Sequence, residues 1–475
     1  MKKYGLLFLL FLLSTIPYWI AGTTLLLKDP LIERDEYIMF DMTQHVTRDH
    51  KLTSDIYGAF VPEAHGKAII YPPVYFTTLS GWFTIFGSNV VAQRLFSFVL
   101  GGFSLLTLFV LIYGVTNDKT AASVGTLLLS IDPRFGEASR HGRMEIMVIL
   151  FTLLILAAFL GSSKSRSWLW VSGILSALAV LTHPMGFMAP LTVATLITMK
   201  RIPIWEKIKC WVIIVIPCIL FTGLWLWTVR DSFAYLMLQL SYQSTLKLQS
   251  SSAVVTFFLT NGVYAILFSI EAAVAVISTY IVLKQKSRSL IIPLVFLAVT
   301  ILFVVLGKEV WYVAYLSPAI ALTTAILIHH GVQNHQRRLI LTTAIIIASF
   351  VFTSLFILVQ LVRERSDMNY IVFSQPFVNY FRDAKGIVCV ASTPDPSYKL
   401  RSNPNIIINQ LVDVSGFIPR KKQFFDACDW FVGNLNPGDY GIAYLMRNGQ
   451  TRQIIEYPST FPIEIVKLRP ESERN

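Results

Sequence analysis

Two adjacent carboxylates, Asp35 and Glu36, open a segment in which Ile38, Met42, His45 and Val46 share one helical stripe. That spacing predicts a short amphipathic helix over 35–48, lying on a membrane surface with both acids at its start. The positive end of a helix dipole keeps a carboxylate ionised. An ionised carboxylate can take the proton of a hydroxyl as its oxygen attacks. Acids at a helix start are also simply good capping residues, and on these positions alone that plainer account has more weight.

A second group lies in DPRFGEASRHGRME, which holds Asp132, Arg134, Glu137, Arg140, His141, Arg143 and Glu145. Guanidinium groups grip phosphate oxygens in pairs, so this junction suits an anionic ligand. Arg–Glu pairing between neighbouring helix ends explains the same residues equally well. Smaller candidates surround them. Arg94 precedes an apolar run, where it can meet a phosphate or only snorkel. His183 and Pro184 mark a tight turn, and a lone turn histidine is usually structural. Lys308 and Glu309 open another turn, followed by Tyr312 and Tyr315, which also suit an aromatic belt. Glu271 lies deep in an apolar run. An intramembrane acid is a functional candidate by default, although a buried hydrogen-bonded Glu is the simpler account.

The elements that must hold these residues follow from composition. The chain has 475 residues, 54% hydrophobic and 14% charged, with a net charge of +12. Soluble domains carry about 25% charged residues. A disordered chain, a collagen-like chain and an ordinary soluble enzyme are therefore excluded, and a polytopic membrane protein remains. Charged residues make up about 12% of positions 1–362 and about 23% of 363–475. The chain thus divides into a membrane domain over 1–362 and a soluble extracytoplasmic domain over 363–475. Within the first, 28–94 forms an outer loop with interfacial helices.

Nearly charge-free apolar runs predict spans near 4–27, 95–116, 120–133, 144–161, 167–182, 184–199, 208–229, 262–283, 290–306, 311–329 and 339–362. That makes an all-α domain of about eleven helices. The uncharged run 68–93, with Pro72 and Pro73, is read as interfacial. If it crossed, the basic loops after it would all move to the outer face, against the positive-inside rule. With eleven spans, the amino terminus is cytoplasmic and the tail faces outward. Lys2 and Lys3 before an apolar run resemble a signal peptide, but the run is too long for a typical one and reads as an uncleaved first helix.

The tail alternates in 386–392 and 405–411, with turns at 436–438 and 447–449, and reads as a small α/β domain. Cys389 and Cys428 lie in it, in a compartment that permits a disulfide, though sequence does not say whether they meet. Cys210 and Cys218 read as membrane packing. No Cys/His pattern has zinc spacing, and no phosphate loop, dinucleotide fingerprint, D-x-D pair or repeat occurs. The bases sit at cytoplasmic loop ends, where they orient the protein and do not indicate nucleic acid.

In order along the chain, RDEYIMFD, YPPVYF, AQRLFS, SRHGRMEIM, LTHPMGF and KEVWYVAYLSPAIAL resemble the multi-spanning GT-C glycosyltransferases. The likeness covers roughly 1–330. It is greatest to the protein O-mannosyltransferase and aminoarabinose-transferase (ArnT-like) group, glycosyltransferase family 39 and its bacterial relatives. The W-W-D-type signature of oligosaccharyltransferases is absent, as is the β-trefoil insert of eukaryotic mannosyltransferases. The resemblance implies a GT-C-like fold in the cell (plasma or inner) membrane. It implies a donor sugar on a polyprenyl phosphate and a lipid, glycan or protein acceptor. It makes Asp35, or its neighbour Glu36, the catalytic base. It also implies that Arg94, Arg140, Arg143, Glu145, Lys308 and Tyr312 bind substrate, and His141 and His183 lie in two of the matching motifs.

The chemistry is coherent. The leaving group is already a phosphate, so it needs cations more than an acid. One base and no nucleophile give inversion at the anomeric carbon. A divalent cation, Mg or Mn, has acids enough to hold it, but their spacing does not require one. The competing reading is a polytopic transporter or lipid flippase using Glu271 at the midplane. It expects inverted repeats and several deep polar residues, and only one deep acid is present. A polysaccharide polymerase would need its bases in the loop 230–261, which has few.

Overall fold

The computed structural model describes residues 2–28, 34–54, 67–163, 165–249, 261–285, 290–366, 375–376, 378–391, 400, 403–411, 426, 428–433, 449–455 and 463–470. Helices dominate the first 364 residues. They are α1 (Lys2–Leu25), α2 (Arg34–Asp49), α3 (Val74–Phe86), α4 (Val90–Thr116), α5 (Lys119–Ile131), α6 (Pro133–Arg140), α7 (Glu145–Gly161) and α8 (Ser167–Val180). Then come α9 (Met188–Met199), α10 (Ile204–Thr228), α11 (Phe233–Gln249), α12 (Gly262–Gln285), α13 (Ile291–Gly307), α14 (Leu316–Gln333) and α15 (Arg337–Glu364). Short 3-10 turns at Pro184–Phe187 and Val310–Tyr315 lead into α9 and α14.

Every one of the eleven expected spans falls on a helix. Six segments among the described residues are long and apolar enough to cross a membrane alone: Gly5–Leu25, Val90–Thr116, Ile204–Thr228, Gly262–Lys284, Val310–Gln333 and Arg337–Glu364. A seventh results if α6 and α7, bent by 115° at their junction, count as one broken span. The apolar helices Lys119–Ile131, Ser167–Val180, Pro184–Met199 and Ile291–Gly307 are shorter. At about 1.5 Å per residue they fall short of a hydrocarbon core of about 30 Å. Length alone therefore supports six or seven crossings where the apolar runs predict eleven. Helix α3, in the run read as interfacial, has 13 residues.

Contacts divide the chain into two compact units. The first holds Met1–Thr24, Ile70–Trp82 and Ala92–Arg363. Its helices meet closely where a side chain is missing. A Cβ on Gly101 of α4 would strike Ser139 and the Tyr18 hydroxyl. The Tyr18 ring stacks on Phe98 at 4.8 Å, and its hydroxyl donates to the Phe98 carbonyl at 2.6 Å. At the other end of α4, Asp118 caps α5, accepting from Thr120 N at 2.8 Å and Ala121 N at 3.3 Å. His329 of α14 reaches the same carboxylate at 2.9 Å. Burial opposes ionisation of Asp118. The His329 hydrogen bond and the two backbone N–H groups outweigh it and hold the carboxyl below its usual range. Residues 230–261, expected as loop, carry α11. Its sequence FAYLMLQL is rich in helix formers and lacks Gly and Pro.

The second unit gathers Leu25–Ile69, Phe83–Val91 and Glu364–Asn475. Helix α2 has the expected start and stripe. Ile38, Met42 and Val46 are buried, Asp35 and Glu36 occupy the first turn, and Phe40 packs on Phe83 at 5.6 Å. A tie of 2.6 Å from the Lys28 Nζ to the Ser366 carbonyl joins the two ends of this unit.

The tail holds a five-stranded sheet of order β2-β1-β3-β5-β4, from β1 (Gly386–Ala391), β2 (Ile406–Leu411), β3 (Trp430–Gly433), β4 (Gly449–Ile455) and β5 (Ile463–Leu468). Strands β2, β1 and β3 are parallel, and β5 is antiparallel to β3 and β4. Phe381, Val388, Val390, Leu400, Ile406, Val432 and Ile465 form its core. Cys389 and Cys428 are joined in a disulfide, with Cα atoms 5.7 Å apart. The expected turn at 436–438 lies outside the described residues, as do 447 and 448 of the second turn. The expected sheet of the tail is therefore present, with both alternating runs as a parallel pair of strands.

Candidate functional site

The sharp bend between α6 and α7 builds the centre of the site. Asp132 ends α5 and caps α6, accepting from Arg134 N at 2.9 Å, with Pro133 at the first helical position. Arg134 turns back onto Asp132, with Nη2 to Oδ2 at 2.7 Å, and its Nη1 donates to Glu271 Oε2 of α12 at 3.0 Å. Arg134 Nη2 also donates to Glu271 Oε1. The deep acid of α12 is thus ion-paired. This three-residue lock fixes where α6 begins, and so where its last residue, Arg140, is delivered.

Four residues then turn the chain into α7. Gly142 lies against Gln93 of α4, whose Nε2 donates to the Gly142 carbonyl at 2.5 Å. That bond ties the turn to the residue beside Arg94, itself fully buried near the start of α4. Arg143 Nη2 donates to Glu145 Oε1 at 2.7 Å, and its Nε reaches both carboxylate oxygens at 3.2 Å. Arg140, His141, Arg143 and Glu145 are all buried. Arg134 and Arg143 thus each pair with an acid.

Two further loops close on this turn. Val310–Tyr315 brings Trp311 against it, with the Arg143 guanidinium 4.7 Å from the indole centre and the His141 ring 5.8 Å away. A cation over an indole face is held by the ring's quadrupole. Tyr312 meets the His183 ring at 5.6 Å and Tyr315 at 6.0 Å. His183 caps the turn before α9, its Nδ1 accepting from Met185 N at 3.1 Å, which leaves Nε2 to carry the proton of the neutral ring. Gly186 makes this turn possible, because a Cβ there would run into the Ala179 carbonyl. Lys308 ends α13 in the left-handed region, φ +58°, two residues before the turn that carries Val310–Tyr315.

Of the residues named from sequence, His141, Arg143, Glu145, His183 and Tyr312 come together in one buried cluster. Arg140 belongs to the same turn, Arg94 is tied to it through Gln93, and Lys308 stands at the entry to the third loop. Asp35 and Glu36 belong to the second unit, where Glu36 is fully buried and Asp35 half-buried. Further along α2, His45 lies 3.2 Å from Asp49 and 4.0 Å from Asp41, and Ser54 donates to Asp41 at 2.7 Å. Hydrogen bonds from Arg48, then His45, hold the Asp49 carboxyl below the usual range. Sequence reasoning passed over Trp311 and Gln93. The KEVWYVAY stretch was the signal for Trp311, but Gln93 had none. Among the described residues no group of three or more His, Cys, Asp or Glu side chains is arranged to hold a metal ion. Asp29, Glu33, Asp55 and Glu63 of the acidic first loop lie outside the described residues.

Residues 71–227 match the family model for dolichyl-phosphate-mannose-protein mannosyltransferase. An uncharacterised protein of Aquifex aeolicus (strain VF5) is 30% identical over 135 residues, 28% of this chain, and the match spans 27% of that relative. Among solved structures, ArnT from Cupriavidus metallidurans bound to undecaprenyl phosphate is similar at a TM-score of 0.62, with 11% identity over 97% of this chain and 98% of that one. The archaeal oligosaccharyltransferase AglB from Archaeoglobus fulgidus, in complex with an inhibitory peptide and a dolichol-phosphate, matches at 0.57 with 12% identity, over 97% and 74%. At such identities the likeness is one of fold. The chain has the GT-C fold, ArnT-like in its extent, and is a multi-pass membrane protein.

Proposed function

We propose that this protein is a membrane glycosyltransferase that moves a sugar from a polyprenyl phosphate to an acceptor hydroxyl on the outer face of the cell membrane. One observation carries the reading. Three loops far apart in sequence supply Arg143 with Glu145, His183, and Trp311 with Tyr312, and these meet in one cluster in which all but the partly exposed Trp311 are buried. The mannosyltransferase match at 71–227 takes in the first two loops. The similarity to proteins solved with undecaprenyl phosphate and dolichol-phosphate supports the same class of donor.

In this reading the cations do most of the work. Arg94, Arg140, Arg143 and Lys308 neutralise the phosphate as the bond from the anomeric carbon to its oxygen breaks. The electron pair leaves with polyprenyl phosphate. The acceptor oxygen attacks from the opposite face, and Asp35, with Glu36 beside it, takes its proton. A single displacement inverts the anomeric centre. The carboxy-terminal domain helps select the acceptor or covers the site. Basic loop ends keep the amino terminus cytoplasmic and the tail outside.

The reading is tested by equilibrium binding of undecaprenyl phosphate to the full chain in nanodiscs, wild type against Arg140→Gln. A charge-assisted hydrogen bond contributes about 1.5–3 kcal/mol, so affinity should fall about 10- to 100-fold at unchanged thermal stability. It should also fall with added salt in the wild type more steeply than in the variant. Equal affinity would remove Arg140 from the phosphate site, and no binding by the wild type would remove the donor class.

A further inference from the structure

Positive charge gathers where α7 and α9 end, away from the cluster at their starts. Between Phe159 and Lys209 the sequence has six Lys and Arg residues, Lys164, Arg166, Lys200, Arg201, Lys207 and Lys209, and one acid, Glu206. Lys164 lies outside the described residues. The other five come from the turn between α7 and α8 and from the turn between α9 and α10 with the first residues of α10. Arg166 Nη2 spans the two turns to Glu206 Oε2 at 2.7 Å, and Lys209 Nζ donates to the other oxygen of that carboxylate at 2.8 Å. Lys207 Nζ donates to the Thr198 carbonyl at 2.7 Å, and the Lys200 ammonium lies 4.5 Å from the centre of the Phe159 ring. The end of α7, the end of α9 and the start of α10 are thus tied together by cations.

Five bases against one acid leave these described residues at a net charge of +4. Helix ends do not offset it. The carboxyl ends of α7 and α9 meet the amino ends of α8 and α10 here, and their dipole charges of about half a unit each cancel. Arg166, Lys200 and Arg201 are exposed, and so are Trp168, Ile204 and Trp205 in the first turns of α8 and α10. Indole rings beside cations sit at the headgroup level of a bilayer. The charge therefore faces lipid phosphates, and basic pockets between spanning helices hold anionic headgroups. The phosphate bound here is not the one assigned to the donor. Helix α7 runs 17 residues from Glu145 to this end, which is about 25 Å.

We propose that Arg166, Lys200, Arg201, Lys207 and Lys209 bind the headgroup phosphate of an anionic phospholipid of the membrane. The site is independent of the transferase reading. Bases at loop ends also orient a chain without holding any one lipid. Arg337 and Arg338, an exposed basic pair that opens α15, provide the comparison.

The test uses the full chain in a mild detergent and reads the first bound lipid by native mass spectrometry, with dioleoyl phosphatidylglycerol and dioleoyl phosphatidylcholine titrated separately. The wild type should bind phosphatidylglycerol more tightly than phosphatidylcholine. The double variant Lys200→Gln with Arg201→Gln should lose about 5- to 30-fold in affinity for phosphatidylglycerol and keep its affinity for phosphatidylcholine. Arg337→Gln with Arg338→Gln should behave as the wild type with both lipids. Were the first double variant to misfold, Arg201→Gln alone would take its place, with a loss of about fivefold expected. Equal affinity of the wild type for the two lipids would overturn the proposal. So would an unchanged preference in Lys200→Gln with Arg201→Gln, which would put the lipid elsewhere, the donor site included. Equal losses in the two double variants would overturn it as well, since the attraction would then belong to the whole basic face.

Discussion

Arg143 and Glu145 form a 2.7 Å ion pair two residues apart, each side chain less than a tenth exposed. A buried pair of this kind costs desolvation on both sides, so it is weak support for stability. Removing one partner strands the other. Glu145→Ala should destabilise the protein by about 3–5 kcal/mol. The double variant Arg143→Met with Glu145→Leu should keep nearly wild-type stability and lose sugar transfer. Denaturant melts in detergent beside a transfer assay check both. A double variant as unstable as the single one would make the pair a structural element.

Lys308 occupies a backbone conformation that favours glycine, φ +58° at the end of α13. Lys308→Gly should relieve about 1 kcal/mol of backbone strain and raise the melting temperature. Because the ammonium is lost, donor affinity should fall at the same time. Opposite movements of stability and affinity are the signature of strain retained for function. A glycine variant that is less stable and binds equally well would contradict it.

The charged residues of the cluster stand out in sequence, while their mutual contacts do not. Asp35 and Glu36 at the start of an amphipathic helix follow from helical periodicity alone. Arg140, His141, Arg143 and Glu145 stand out as charges in an apolar chain. What sequence could not supply is the 115° bend that sets 141–145 against 310–315. Trp311 was therefore passed over and Tyr312 was open to reading as a belt residue, since aromatics at span ends usually are. The pairing of Glu271 with Arg134 joins residues 137 positions apart, which no local pattern encodes. The number of crossings differs for a physical reason. Apolar composition marks a helix as membrane-buried, but helices of 12 to 17 residues such as α5, α8, α9 and α13 do not by length alone span the core.

Asp118 offers a pH-dependent test outside the membrane spans. Its carboxyl is held below the usual range. A group whose pKa is lower when folded adds stability that is present above the unfolded value, near pH 4, and is lost as pH falls through the folded value. Asp118→Ala should cost about 1 kcal/mol at pH 7 through the lost cap. The difference from wild type should shrink below about pH 4. Thermal melts of both proteins between pH 3 and 7 measure it. A gap that is constant with pH would mean that the charge of Asp118 contributes nothing.

The transfer reaction itself is the most direct measurement. Membranes containing the wild type or Asp35→Asn at equal abundance are given labelled polyprenyl-phosphate sugars. The account predicts release of polyprenyl phosphate with the label moved to an acceptor, and a loss of about 100-fold or more in the variant, the usual scale for a missing general base. Full activity in Asp35→Asn would move the base to Glu36 or elsewhere. No turnover of any donor by the wild type would contradict the central claim.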